Sequence, residues 1–584
     1  MKKFWKIILS VMVLLIIAPG SYLWAMVLLD SLYKYESPLK RELPLGQPTQ
    51  PLVQQVVMVI VDGLRYDTSL EMPYLNSLRD EGASGVMVGI PSPASQSAWT
   101  TLVSGAGPEI NGAPFLDREH VNEIQPIAVD HLFAEVKRAG FTGGLAGSNW
   151  WQKMVPDEFL YAQFFVKDED AADEQVVDSA LRFLKNFYLN YLLIHLNQVD
   201  HASREYGAAS SEYRQAALRV DAHLRDIAQA TNVRRNVLIV VSDYGHPKRG
   251  EHNKYDQVAL TAPFVMVGPA VVPGDYGRIA PGDVAPTVAA LLGTAVPSAA
   301  QRPIRFDMLR MGEVQRAVKQ IAQAQQRVEL GQAYLRSVLS LSKGSISANP
   351  LSETAEGDAL VATSSLQVKN YTSAYTLGGL AVQQIDKEME QARARRIQSE
   401  RVQRRIEALV VILVPLLIIS GWLWWRRSKR LGISIFAALL TVAIYHLLFI
   451  REGNLYSPNI PRPVEPFLEE SLRRVVIALA VGLVVTLLWL WYERERSLLD
   501  VAQSVYGFSF AVIYFLGVQI AIGYWLNGPT VSWYLPDLTL FFAHFSALVQ
   551  SSMVAAISVL LPVAVLPFYW VALLVRSRLK RDRL

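Results

Sequence analysis

The chain contains no cysteine. That absence excludes disulfide frameworks, thiolate zinc sites and cysteine nucleophiles together. Charge of one sign does not accumulate either: the net charge is +4, and the basic clusters stand beside apolar runs. So small and so placed an excess implies no nucleic-acid partner and reports membrane topology instead. Long apolar runs are missing between about residues 50 and 400 and are concentrated at 5–29 and across most of 407–575. The chain therefore reads as part globule and part membrane protein.

The amino-terminal run carries Lys2, Lys3 and Lys6 and then stays apolar from Ile8 to Leu29. It outlasts the roughly 7–15 residues of a cleaved signal core, so residues 1–30 are expected to be a transmembrane signal anchor. Further apolar spans lie near 407–425, 431–450, 473–492, 503–525 and 540–575, the last long or broken. That makes six crossings, five of them in a bundle at 407–584. Arg426, Arg427, Lys429 and Arg430, then Arg494 and Arg496, then the tail Arg576–Arg583 fall on alternate loops. The positive-inside rule puts both termini in the cytoplasm and residues 30–406 outside it. The cluster Arg393–Arg405 falls on the wrong side. It reads either as the basic face of a helix near outer-leaflet headgroups or as a solvated charged helix.

Residues 31–54, with mixed charge and proline, are expected to be a linker. VVMVIVDG at 56–63 is a short β-branched run ending in Asp-Gly, as a buried parallel strand that delivers a carboxylate at its end would be. NYLLIHL at 190–196, NVLIVVSD from 236 and PFVMVGP at 263–269 repeat the pattern, and amphipathic stretches such as 131–140 and 211–230 separate them. The expected fold is α/β, a mostly parallel sheet sandwiched by helices over 55–311, joined to an α-helical transmembrane bundle. Residues 312–406 read as a helical stalk. Ligands of such sheets bind beyond the strand carboxyl ends, where Asp62, Asp200 and Asp243 fall. His195 reads as a buried strand residue.

Ser95 lies in IPSPASQSAWTTLVSGAGPEINGA, Asp200 and His201 in NQVDHASREYG, and Asp243 in VSDYGHPKRGEH, which ends at His252. In this order the segments resemble the type I phosphodiesterase and nucleotide pyrophosphatase branch of the alkaline phosphatase superfamily over about residues 55–300. Asp62 matches the first metal-binding aspartate of a V-D-G-[LM]-R motif. Trp99 points back to Ser95 as the nucleophile, with Ser97 where that motif usually has proline. Asp243 and His252 match ligands of the S-D-H-G and G-x-H motifs, and GDVAPTVAALLG at 282–293 is similar to a closing D-[VI]-[AS]-P-T-[LI] segment. The resemblance implies an alkaline phosphatase-like catalytic domain holding one or two divalent ions, zinc or manganese, on Asp62, Ser95, Asp200, Asp243 and His252. It also implies attack on a phosphodiester through a covalent phosphoserine.

Two positions depart from the pattern: Arg204 replaces the histidine of D-x-x-x-H, and Tyr244 replaces that of S-D-H-G. Each removes a neutral imidazole, and zinc favours nitrogen donors. Three readings stay open. His201 and His246 substitute as ligands, with Tyr244 itself an alternative one; or Arg204 takes the electrostatic place of one ion as a catalytic group that grips phosphate oxygens; or the site is degenerate and serves binding or assembly without turnover. No C-x-P-x-R or S-x-P-x-R motif surrounds Ser95, which argues against a sulfatase. The order of anchor, external domain and multi-span bundle resembles that of the GPI ethanolamine phosphate transferases. That likeness implies a phosphoethanolamine-like transfer and a lipid-linked phosphodiester substrate in contact with membrane lipid.

Overall fold

β1 (Val56–Val61) is six residues of Val, Met and Ile, every one buried. A strand apolar at every position has both faces covered, as the interior of a parallel sheet requires. The computed structural model describes residues 2–39, 43–89, 95–113, 124–167, 172–245, 260–340, 351–426, 429–452, 464–493 and 497–581. Around β1 it builds one eight-stranded sheet with β2 (Ala83–Val88), β3 (Gly143–Ser148), β4 (Ala162–Val166), β5 (Tyr191–Leu196), β6 (Val237–Val241), β7 (Thr261–Val267) and β8 (Gly274–Ile279). The order is β4-β3-β5-β1-β6-β7-β2-β8. β7 runs antiparallel to both its neighbours, and the other pairings are parallel.

Alternation along the strands divides the core in two. Met58, Ile60, Leu193 and Ile239 pack on one face with Trp99, Phe133 and Leu291, from the helices Ser95–Ser104, Leu132–Arg138 and Val284–Leu292. Val57, Val59, Leu192 and Leu238 pack on the other with Leu75, Val176 and Leu224, from Pro73–Glu81, Ala172–Asn186 and Ser211–Thr231. This is the α/β sandwich that the strand–helix alternation leads one to expect.

The Leu132–Arg138 helix is capped by an unusual residue. His131 accepts the Ala134 N–H at Nδ1, and burial pushes its imidazole down to about 4. The fold therefore holds a neutral ring: its contribution is present above the ordinary value near 6.5 and is lost as pH falls through about 4. Thermal melts of wild type and His131→Asn should run parallel above pH 7. They should diverge on acidification, the wild type losing about 3 kcal/mol more by pH 4, since asparagine caps without titrating.

The chain divides into two compact units. One is Tyr33–Gln398 with Ser532–Leu535; the other is Met1–Leu32, Ser399–Val531 and Pro536–Leu584. The first unit holds the sheet together with the helices Glu313–Ser340 and Glu353–Gln367, and the unit boundary falls inside the helix Tyr371–Arg426. Within it, Glu109 accepts Nε and Nη2 of Arg393 at 2.8 and 2.6 Å and the Leu535 N–H at 3.3 Å. Tyr35 Oη reaches the carbonyls of Glu109 (2.9 Å) and Trp533 (3.1 Å), and the Arg396 guanidinium lies 4.0 Å from the Trp533 ring centroid.

In the second unit, five helices among the described residues are long and apolar enough to cross a membrane: Phe4–Tyr33, Leu431–Arg451, Val464–Tyr492, Leu498–Asn527 and Leu538–Val571. The expected span near 407–425 belongs to the Tyr371–Arg426 helix and runs onto side chains outside the described residues. The stretch from 540, expected to be long or broken, is one long helix, Leu538–Arg581, with Pro562 and Pro567 inside it. Arginines of the 393–405 cluster are engaged internally: besides Arg393 and Arg396, Arg401 and Arg404 donate to the carbonyls of Leu526 and Tyr524. The periodicity could not show this use, because it depends on partners more than 100 residues away.

Candidate active site

The ends of β1, β5 and β6 bring the site together, since these three strands are neighbours in the sheet. Asp62 follows β1 directly, and Gly63 after it turns at φ 72°, a left-handed conformation that favours glycine. The turn is pinned on both sides. Gly63 N–H donates to Asp243 Oδ1 (3.2 Å), Leu64 N–H donates to Ser242 Oγ (3.0 Å), and Tyr213 Oη donates to the Gly63 carbonyl (2.8 Å). Asp243 leaves the end of β6, and its Oδ2 accepts the indole N–H of Trp99 at 2.8 Å.

Asp200 sits in the first turn of the helix Gln198–Tyr206, where a carboxylate is favoured. Asp173 holds that helix start, accepting the Asn197 and Gln198 N–H groups at 2.7 and 3.2 Å. Asp62, Asp200 and Asp243 are all buried, and the Asp243 carboxyl is pushed well above the usual range, first by burial and then by the Asp62 carboxylate beside it. Asp200 adds to that shift. Arg204, one turn along, pairs with Asp200 at 2.9 Å.

Ser95 lies on the helix Ser95–Ser104 and is buried. Its Oγ lies 3.0 Å from Tyr244 Oη. Burial, then the nearby carboxylates, hold the Tyr244 phenol well above its ordinary value, so it stays neutral. His201 is about one-third exposed, with Nε2 3.5 Å from Glu205 Oε2. His246 and His252 lie outside the described residues.

Sequence reasoning missed three residues here. Trp99 served there only to locate Ser95, Asp173 carried no motif, and His195 was read as core although its Nε2 lies 3.5 Å from Asp62 Oδ2. Alternation along β5 could have found the last, because His195 stands opposite Ile60, two residues before Asp62.

Residues 56–281 match the family model described as type I phosphodiesterase / nucleotide pyrophosphatase. The match lies within the α/β domain and covers less than half of the chain. Solved structures similar to the chain include human ectonucleotide pyrophosphatase / phosphodiesterase 5, at 15% identity over 44% of this chain and 100% of that one, with a TM-score of 0.36. A protein of the alkaline phosphatase superfamily from Vibrio parahaemolyticus matches at 16% identity over 50% and 79%, with a TM-score of 0.35. No curated protein matches.

Members of this family depend on divalent metal, and the donor chemistry of the domain fits such an ion. Three carboxylates meet out of water, and Asp62 Oδ1 has no hydrogen-bond partner among the described residues. Converging like charges in a dry site call for a cation. Among the described residues, no three His, Cys, Asp or Glu side chains already stand at a spacing that closes on one. Asp62 and Asp243 carry the carboxylates whose mutual repulsion a cation would relieve, while Arg204 pairs with Asp200.

Proposed function

We propose that the chain is a membrane-anchored, divalent-metal-dependent phosphodiesterase or phosphoalkyl transferase that works through Ser95 on an extracytoplasmic, lipid-linked phosphodiester. The observation that carries this is the convergence of Ser95, through Tyr244, with Asp62, Asp200 and Asp243 beyond the ends of adjacent strands. The family match of the domain and the apolar helices of the second unit support the rest. The alternating basic clusters favour cytoplasmic termini and an external domain.

Ser95 Oγ attacks phosphorus in line, the ester P–O bond breaks, and the leaving oxygen takes a proton. Water or an acceptor hydroxyl then displaces the serine. A bound divalent ion supplies charge neutralisation on the phosphate oxygens and favours the serine alkoxide. Arg204 lies within one turn of Asp200 and offers its remaining N–H groups to the non-bridging oxygens. Tyr244 holds Ser95 by their mutual hydrogen bond.

Chelator-stripped protein should hydrolyse an aryl phosphodiester no faster than buffer, and zinc or manganese should restore turnover. Full activity in the chelator sinks the metal-dependent reading. A second reading, a degenerate site with a binding or assembly role, is favoured by the Arg204–Asp200 pair and by Tyr244 at a ligand position. It predicts no turnover with any divalent ion.

A further inference from the structure

We propose that His195 is a metal ligand, sharing one divalent ion with Asp62 and so returning to the site an imidazole of the kind that positions 204 and 244 lack. The inference rests on the metal-dependent reading above and names a donor that no motif of the sequence assigns.

Register brings the two side chains together. On β5, His195 stands opposite Ile60 of β1, and alternation directs it to the face that Met58 and Ile60 share with Tyr191 and Leu193. Asp62 has the same parity. The separation is informative: Nε2 lies 3.5 Å from Asp62 Oδ2. Good hydrogen bonds between nitrogen and oxygen run about 2.7–3.2 Å. Two donors each about 2.0–2.1 Å from one tetrahedral ion are about 3.4 Å apart. The pair is thus spaced as co-ligands are.

Unmet bonding capacity points the same way. His195 is 1% exposed, and neither ring nitrogen has a hydrogen-bond partner among the described residues. A neutral imidazole has one N–H to donate and one lone pair to place, and burying them unmet costs free energy. Asp62 Oδ1 is unpartnered in the same space. A cation between the two residues satisfies the lone pair of one and the charge of the other. The ring is also held in place. It packs edge-to-face on Trp99 at 4.4 Å between centroids, and a Cβ on Gly147 of β3 would stand only 2.7 Å from the His195 Cβ. A nitrogen donor also moves the site's preference toward zinc and away from oxygen-loving ions such as magnesium.

The test is zinc titration of the full chain in detergent, with His195→Ala and His195→Gln compared after the metal-free melts of all three are matched. Both variants should bind zinc on the order of 100-fold more weakly than wild type, and cobalt-loaded wild type should lose visible-band intensity on either substitution. Zinc affinity and cobalt spectra equal to wild type in either variant overturn the inference and leave the metal-dependent reading standing. Wild type that binds no ion overturns both. Should neither variant fold, zinc-edge anomalous diffraction from wild-type crystals decides. A peak about 2.1 Å from Nε2 supports ligation, and one beyond about 3 Å shows an imidazole that acts only through Asp62.

Discussion

Ser95→Ala is expected to lower turnover of an aryl phosphodiester by about 10⁴-fold or more while leaving the fold intact. The hydroxyl has only one near partner described, Tyr244 Oη at 3.0 Å, and removing it takes one polar contact from a neutral phenol without baring a charge. The carboxylates and Arg204 all remain, so substrate should still bind. kcat should therefore collapse with little change in KM. The same experiment can trap chemistry: wild type quenched in acid with a phosphorus-labelled substrate should carry label on Ser95, and the variant should carry none. Full turnover by the variant removes the nucleophile from the mechanism.

Arg204→Ala should damage both stability and catalysis. Asp200 is 0% exposed, and Arg204 is the cation paired with it at 2.9 Å. Removing one partner of a buried pair leaves an uncompensated charge, which costs about 3–5 kcal/mol. The Arg204 side chain is 30% exposed, so water offsets part of this, and about 2–3 kcal/mol is expected in melts of the variant. Turnover should fall by about 10²–10³-fold, because a guanidinium facing developing phosphate charge is lost. Arg204→His is the complementary change. If the arginine stands in for one ion, the histidine variant should bind additional zinc and recover activity as zinc is raised. An alanine variant with wild-type stability and turnover would falsify the surrogate role.

The strands that carry the carboxylates were legible because each is a buried, mostly apolar run that leads to an aspartate: VVMVIVD, YLLIHL leading to Asp200, VLIVVSD. Their neighbours in the sheet were harder. GGLAGS of β3 is nearly featureless as a sequence, and GDYGRI of β8 is mostly exposed. β7 reads like its parallel neighbours yet runs against them, since burial on both faces says nothing of direction. Ser95, Asp62 and Asp243 were singled out through motif order. Asp173 and Trp99 act through hydrogen bonds to residues 24 and 144 positions away, which no local pattern records. His195 was hidden by its own strand, where an imidazole among Leu and Ile looks like filling.

The tetrapeptide Ser532–Leu535 bears on how this protein can be cut down for study. Trp533 and Tyr534 are buried beside Leu330, Leu335 and Ile385, and Leu535 N–H helps to hold Glu109, on the short helix Pro108–Asn111 that follows the helix holding Ser95. A soluble fragment ending near residue 398 would lack these four residues. It would bare an aromatic-sized apolar recess beneath Arg396 and would free one side of Glu109. Such a fragment is expected to self-associate, and supplying the missing stretch in trans as a short peptide should return it to monodispersity.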